Sequence, residues 1–220
     1  MKAVLILSGG IDSSTLGYLL KSKGYNDLIC VSFNYGQKNS IEIEYAKKIA
    51  KYLLSEHRII DVTFMKEILK GCSLTDDLVN ISQNTSPKST VVPNRNTILL
   101  SVAWAIACVE NADVLAYGAQ CGDHFSYPDT RPDYFESINS TLQLGTIGSR
   151  KESLKLIAPL LLKSKSEVIK MGYDLGVPFL ETYSCYQGSA SHCGVCITCI
   201  SRKEGFIEAQ VTDLTVYEVL

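Results

Sequence analysis

The sequence lacks an excess of positive charge, a long apolar run and any low-complexity linker. Its 21 Lys+Arg stand against 23 Asp+Glu, a formal net charge of −2. Such a balance offers no basic face to a phosphate backbone, so direct nucleic-acid binding is not expected. The longest apolar run, Ile98–Val109, is broken by Ser101 and is far shorter than the ~20 residues of a bilayer span. At the N-terminus the apolar stretch covers only Ala3–Leu7, with no small-residue cleavage site behind it, unlike a secretory signal. These absences predict a cytoplasmic protein with no membrane partner. No internal repeat is present either. What remains, 220 residues of which 46% are hydrophobic, can bury one core and carry a small appendage.

Cysteine is not scarce. Of eight, Cys30, Cys72, Cys108 and Cys121 are scattered and read as small hydrophobes in a reducing compartment. Cys185, Cys193, Cys196 and Cys199 instead crowd into fifteen residues. Thiolates two residues apart can turn onto one ion, and Gly194 suits the tight turn between them. Four such ligands would close a structural tetrahedral zinc site, with His192 as a neighbour. Spacing alone also allows an iron–sulfur cluster.

Most of the chain alternates short β runs with helical spacing. Strands are predicted at Lys2–Leu7, Leu28–Phe33, Arg58–Val62, Val114–Gly118 and Lys155–Pro159. Helices are predicted at Asp12–Lys23, Ile41–Leu54, Asn94–Val109, Tyr134–Leu144 and Lys165–Leu175. Repeated strand–helix–strand units imply an α/β fold, a parallel sheet covered on both faces. The polar stretch Cys72–Pro93 reads as an extended loop or flap over one sheet end.

The first strand runs straight into Leu7-Ser8-Gly9-Gly10-Ile11-Asp12-Ser13-Ser14-Thr15-Leu16-Gly17. Ligands bind at such strand-to-helix turns in open α/β sheets. The two glycines let the backbone turn sharply, and helix-start N–H groups with the Ser8, Ser13 and Ser14 hydroxyls converge on an anion. The pattern carries neither the lysine of a Walker loop nor a third dinucleotide glycine. Asp12 fits a metal-orienting role and an N-capping role equally.

Ser8–Ser14 resembles the PP-loop of the ATP pyrophosphatases. The resemblance implies an adenine nucleotide α-hydrolase-like (HUP/Rossmann-like) sandwich. It also implies that Leu7 through Gly17 hold ATP, with Mg²⁺, while a substrate oxygen attacks the α-phosphorus. With the cysteine cluster, the chain resembles the 7-cyano-7-deazaguanine (preQ0) synthase family over nearly its whole length. The resemblance is carried by Phe33, Tyr35, Gly36 and Gln37, by Pro93, Arg95 and Asn96, and by Tyr127, Pro128, Asp129 and Arg131. Two departures stand out: Asn94 where a glycine is common, and Tyr183 where Trp is expected.

That family implies ATP-dependent conversion of 7-carboxy-7-deazaguanine and ammonia to the nitrile, in queuosine or archaeosine biosynthesis. It implies a PP-loop domain over 1–180, a zinc-binding region over 181–220 and a homodimer. Asp12, Ser13, Arg95 and Lys165 are the expected catalytic residues. Arg95 could clamp phosphate or the substrate carboxylate; Lys165 reaches the triphosphate or is a solvated first-turn lysine. Phe33, Tyr35, Gln37, Asp123, Tyr127, Asp129 and Arg131 are the expected substrate contacts, with loop satisfaction the competing role for Asp129. Two other classes compete: a tRNA-thiolating PP-loop enzyme using its cysteines for sulfur, and a non-catalytic nucleotide-binding module with a zinc clip.

Overall fold

The computed structural model describes residues 1–37, 40–68, 91–125, 127–147 and 153–218. Five parallel strands, β1 (Lys2–Ile6), β2 (Asp27–Asn34), β3 (Glu56–Asp61), β4 (Val114–Ala116) and β5 (Lys155–Ile157), lie in the order β3-β2-β1-β4-β5. The chain winds outward from β1 to β3, then returns to place β4 on the other side of β1. That reversal opens a crevice beyond the carboxyl ends of β1 and β4.

Strand alternation divides the core. Val4, Ile29, Val31 and Phe33 face one side, where α4 (Arg95–Val109) brings Leu100, Ala103 and Trp104 and α5 (Pro132–Leu144) brings Ile138 and Leu142. Leu5, Leu7, Leu28 and Cys30 face the other. There α1 (Ile11–Ser22), α2 (Ile41–Tyr52) and α6 (Lys165–Asp174) contribute Leu16, Ile49 and Val168. Successive strand side chains point to opposite faces, and both faces here are apolar because helices cover both. A single helical turn, α3 (Met65–Ile68), follows β3. The expected strands and long helices are all present, with no end shifted by more than two residues. Most of the Cys72–Pro93 loop lies outside the described residues, as does Cys72 itself. No helix among the described residues is long and apolar enough to cross a membrane.

One long helix was not expected: α7 (Ile197–Glu208) inside the cysteine-rich tail. Its buried face, Cys199, Arg202, Gly205 and Phe206, has helical spacing but carries an arginine and a glycine among its members. Gly205 lets α7 approach α6 closely, since a Cβ there would stand 2.6 Å from Lys165 Cγ. Phe206 meets Phe179 edge-on with centroids 5.1 Å apart. Arg202 is 1% exposed. It donates to Thr182 Oγ1 (2.9 Å), the Phe179 carbonyl (2.9 Å), Ser184 Oγ (3.3 Å) and Thr215 Oγ1 (3.0 Å), with Asp213 at 3.8 Å as counter-charge. A guanidinium can be buried when its donors find acceptors, and this one ties the tail to the segment before the cysteines. The C-terminal strand-like segment folds back as well, Glu218 N–H donating to the His192 carbonyl at 2.8 Å.

Candidate active site

The crevice beyond β1 and β4 is a cleft of about 370 Å³. Its floor is the turn from β1 into α1. Ser8 Oγ lies 3.0 Å from Ser13 Oγ, and the Ser8 N–H donates to Ser13 Oγ at 3.2 Å. Gly10 is the N-cap of α1 and no side chain caps the helix. The first-turn N–H groups are therefore left to face the cleft, the arrangement that receives an anion. Gly9 has φ +79°, and a Cβ there would stand 2.6 Å from both Glu42 O and Ala46 N. Glycine at this position lets the loop press against α2. Gly118, after β4, serves the same purpose from the other side: a Cβ would meet Ser13 N at 3.1 Å.

Lys165 and Arg95 each enter the cleft from the first residue of a helix, where the helix dipole disfavours positive charge. Lys165 opens α6 behind a capping box of Ser164 and Glu167. Its Nζ lies 2.8 and 2.6 Å from the two Asp12 oxygens. Arg95 opens α4, and its Nη1 donates to the Tyr35 hydroxyl at 3.2 Å. No carboxylate among the described residues lies within ion-pair distance of Arg95. Burial opposes its charge, but Tyr35, Tyr186, Asp129 and Tyr127 around it more than compensate and raise its pKa. Asp123 completes the set. Burial, with repulsion from Asp12, pushes its carboxyl up to about 6 against the opposing pull of Lys165 and Arg95.

Of the expected ATP contacts, Leu7, Ser8, Gly10, Ile11, Asp12 and Ser13 line the cleft. Gly9, Ser14, Thr15, Leu16 and Gly17 do not; Gly9 presses against α2, and the other four lie in the buried part of α1. Gly17 sits where a Cβ would be 2.7 Å from Leu53 Cδ1, so its role there is packing. Of the expected substrate contacts, Phe33, Tyr35, Asp123 and Tyr127 line the cleft; Gln37, Asp129 and Arg131 do not. Gln37 is 4% exposed and spends its amide on the Tyr35 N–H, the Phe33 carbonyl and Glu42. Asp129 caps α4, accepting the Asn96 N–H at 2.9 Å, while Asn96 Nδ2 donates back to its carbonyl at 3.0 Å. Arg131 Nε donates to the His124 carbonyl at 2.8 Å. These three brace the loops that carry the lining residues.

Both sequence departures have local explanations. Asn94 has φ +53° and ψ 25°, the left-handed conformation that asparagine tolerates better than most residues. Tyr183 packs between Tyr45 and His192, centroids 5.1 and 4.7 Å away, and donates its hydroxyl to the Ser189 carbonyl at 2.9 Å.

The far wall of the cleft comes from the cysteine region and was not foreseen: Tyr183, Ser184, Tyr186, Thr198 and Arg202. Behind it the sulfurs of Cys185, Cys193, Cys196 and Cys199 lie within 4.8 Å of one another, all four residues buried. Gly194 supplies the expected turn with φ +76°. Cys185 Sγ accepts the Gln187 and Cys193 N–H groups at 3.4 Å each, and Cys193 Sγ accepts the Cys196 N–H at 3.4 Å. Such donors stabilise thiolates, the form a metal requires. His192 is a neighbour of the cluster. Its Nε2 accepts the Ser184 N–H at 3.1 Å, and burial lowers its pKa to about 4, keeping the ring neutral.

A family model described as queuosine biosynthesis protein QueC matches residues 2–210. The chain belongs to this family. A 7-cyano-7-deazaguanine synthase from Caldicellulosiruptor bescii is 41% identical over 224 residues, covering 100% of this chain and 98% of that protein. Another, from Allorhizobium ampelinum, is 40% identical over 223 residues, covering 99% and 93%. Among solved structures, an NMN synthetase from Francisella tularensis superposes with a TM-score of 0.53 at 15% identity, over 96% of this chain and 78% of that one. The U34-tRNA thiolase NcsA from Methanococcus maripaludis, with its [4Fe-4S] cluster, gives 0.51 at 19% identity, over 100% and 78%. At these identities the likeness is one of fold. For a QueC family member the thiolase reading is not favoured, and the far cleft wall belongs to the same matched stretch as the serine-glycine turn.

Proposed function

We propose that the chain is an ATP-dependent 7-cyano-7-deazaguanine synthase that activates the same substrate carbon twice in one cleft. The carboxylate of 7-carboxy-7-deazaguanine attacks the α-phosphorus of ATP and pyrophosphate leaves. Ammonia attacks the acyl carbon, loses a proton and expels AMP, giving the amide. The amide oxygen then attacks the α-phosphorus of a second ATP and pyrophosphate leaves again; loss of AMP and of the nitrogen's two protons forms C≡N.

A single observation carries this reading. One cleft holds an uncapped helix start with paired serines at one end and Arg95, without a carboxylate partner among the described residues, at the other. A nucleotide and an anionic co-substrate would meet between them. The Ser8–Ser13 turn and Lys165 are assigned to the leaving pyrophosphate, whose developing charge preorganised donors stabilise. Asp12 and Asp123 present hard oxygen donors on the same lining, which fits Mg²⁺. Mg²⁺ arriving with ATP would neutralise the phosphate charge.

The four sulfurs suit a single zinc ion. Cys193 Sγ and Cys199 Sγ are 4.0 Å apart, near the ~3.8 Å that tetrahedral Zn–S bonds of ~2.3 Å impose. A cubane cluster would spread its thiolates farther. With four sulfur ligands the site is closed and its role is structural. Free ammonia as nitrogen donor, a homodimeric state, cytoplasmic location and independence from nucleic acid complete the proposal.

Mass spectrometry of reactions containing ATP, Mg²⁺, ammonium and the carboxylic acid tests it. The nitrile is expected with wild type and is absent with Asp12→Ala. Accumulation of the amide alone would remove the dehydration step from this protein; no product would end the reading.

A further inference from the structure

The cysteine cluster and the cleft share a wall, and one dipeptide joins them. Cys185 supplies one of the four clustered sulfurs, while the adjacent Tyr186 lines the cleft. The Tyr186 hydroxyl lies 2.9 Å from the hydroxyl of Tyr127, which lines the cleft from the loop after β4. Arg95 lines the same cleft, where its guanidinium lies over the Tyr35 ring and donates to the Tyr35 hydroxyl. No strand or helix holds Tyr186; residues 182–191 form no regular element. Its backbone is held instead by the cluster, through the two N–H groups that Cys185 Sγ accepts from Gln187 and Cys193. Thr198 repeats the arrangement farther along the same wall: its hydroxyl is 3.3 Å from Cys196 Sγ and its side chain lines the cleft.

We propose that Tyr186 is a positioning residue for the carboxylate substrate, set in place by the four-cysteine cluster through Cys185. Through Tyr127 it fixes the tyrosine part of the wall of the cleft that Arg95 also lines. The metal site thus builds the substrate wall instead of standing apart from the chemistry. Residues 182–184 and 189 have ties of their own to Arg202, Gly9, His192 and Tyr183, but the stretch between them, which carries Tyr186, would lose its sulfur acceptor without the cluster. Ordering it on binding would then subtract from substrate affinity. The nucleotide end depends on it less. The Ser8–Ser13 turn is built by β1 and α1, and the Tyr183 N–H to the Gly9 carbonyl, 2.9 Å, is its backbone tie to this segment.

The inference rests on the proposed reaction, and the test separates the two. Steady-state kinetics are measured on metal-loaded Tyr186→Phe, Tyr127→Phe and the double variant, with metal content by elemental analysis. Loss of one neutral hydrogen bond predicts a KM for the carboxylic acid raised about fivefold. The KM for ATP, kcat and metal content stay near wild type. Both single variants remove the same bond, so the double variant falls little further. Equilibrium binding supplies a readout without turnover. Metal-stripped wild type is expected to lose affinity for the acid by about tenfold or more and to keep a non-hydrolysable ATP analogue within about twofold. An unchanged acid KM in Tyr186→Phe, or parallel loss of both ligands on stripping, overturns the inference. Should stripping unfold the chain by circular dichroism, the kinetics of Tyr186→Phe decide alone. Wild type that makes no nitrile sinks the reaction and this inference with it; nitrile formation with an unchanged Tyr186→Phe KM sinks only the inference.

Discussion

Lys165 Nζ rests 2.6 Å from one Asp12 oxygen and 2.8 Å from the other, joining the first turns of α6 and α1 across the mouth of the cleft. The pair is about one-fifth exposed on each side, so the lysine is not a solvated surface cation. In the proposed ATP complex both charges would exchange this pairing for stronger partners, the lysine a phosphate and the carboxylate the nucleotide's Mg²⁺. Lys165→Met should therefore cut kcat/KM for ATP by about a hundredfold, the scale of one lost transition-state donor. Steady-state kinetics at varied ATP check this; a loss below threefold would return Lys165 to a structural role.

Asp123 gives a pH signature. Its carboxyl is raised by burial and by Asp12 from an ordinary 3.8 to about 6. In that window the folded chain holds a proton that the unfolded chain has released. The sign follows: this group's contribution is fully present below about pH 4 and is lost as pH rises through about 6. Asp123→Asn should flatten that slope and stabilise the ligand-free protein at pH 7 by on the order of 2 kcal/mol. Urea titrations of both proteins between pH 4 and 7 read the difference. A wild-type stability that climbs across that window relative to the variant would contradict it.

Arg202 anchors the tail through four hydrogen bonds from a buried guanidinium. Arg202→Leu keeps much of the volume but removes the donor to Thr182 Oγ1, Ser184 Oγ and Thr215 Oγ1 and the counter-charge beside Asp213, while the Phe179 carbonyl keeps the Thr182 hydroxyl at 2.7 Å. A loss of about 3 kcal/mol is expected, from the lost charge-assisted hydrogen bonds and a carboxylate left without its counter-charge. Chemical denaturation measures it directly, and a cost below about 1 kcal/mol would mean that water replaces the arginine.

Gly9 is constrained twice, by φ +79° and by the backbone of α2 at 2.6 Å. Gly9→Ala should push α2 away and tilt the serine turn, costing roughly 2–3 kcal/mol and most of the ATP affinity. Gly176 provides a control: φ is +77° but nothing lies within 4 Å of a Cβ there. Gly176→Ala should cost about 1 kcal/mol from the backbone alone and leave ATP binding intact. Equal effects from the two substitutions would remove the close approach as the cause.

The scaffold was legible because its signals are local. Val4 and Leu5 face opposite cores as strand alternation requires, and Ala46, Ile49 and Ala50 mark the buried face of α2. The serine-glycine turn was legible for the same reason, since Ser8, Gly10 and Ser13 sit within six residues. Tyr186 and Arg202 were not. Their meaning depends on partners such as Tyr127 and Thr215, distant in sequence or attached by unpatterned loops. α7 escaped notice because its inward face holds Arg202 and Gly205 where periodicity looks for apolar residues. Asp129 and Gln37 show the converse: polar residues in a functional-looking motif whose hydrogen bonds go to Asn96, Phe33 and Glu42.

The central claim is that one cleft adenylates the same carbon's two oxygens in turn. The most direct measurement uses 7-carboxy-7-deazaguanine labelled with ¹⁸O at both carboxylate positions and follows the label by mass spectrometry. Each activation transfers one substrate oxygen to the α-phosphorus. The account predicts two AMP per nitrile, each carrying a single ¹⁸O, with unlabelled pyrophosphate. Label appearing in inorganic phosphate alongside ADP, or AMP formed without ¹⁸O, would contradict it.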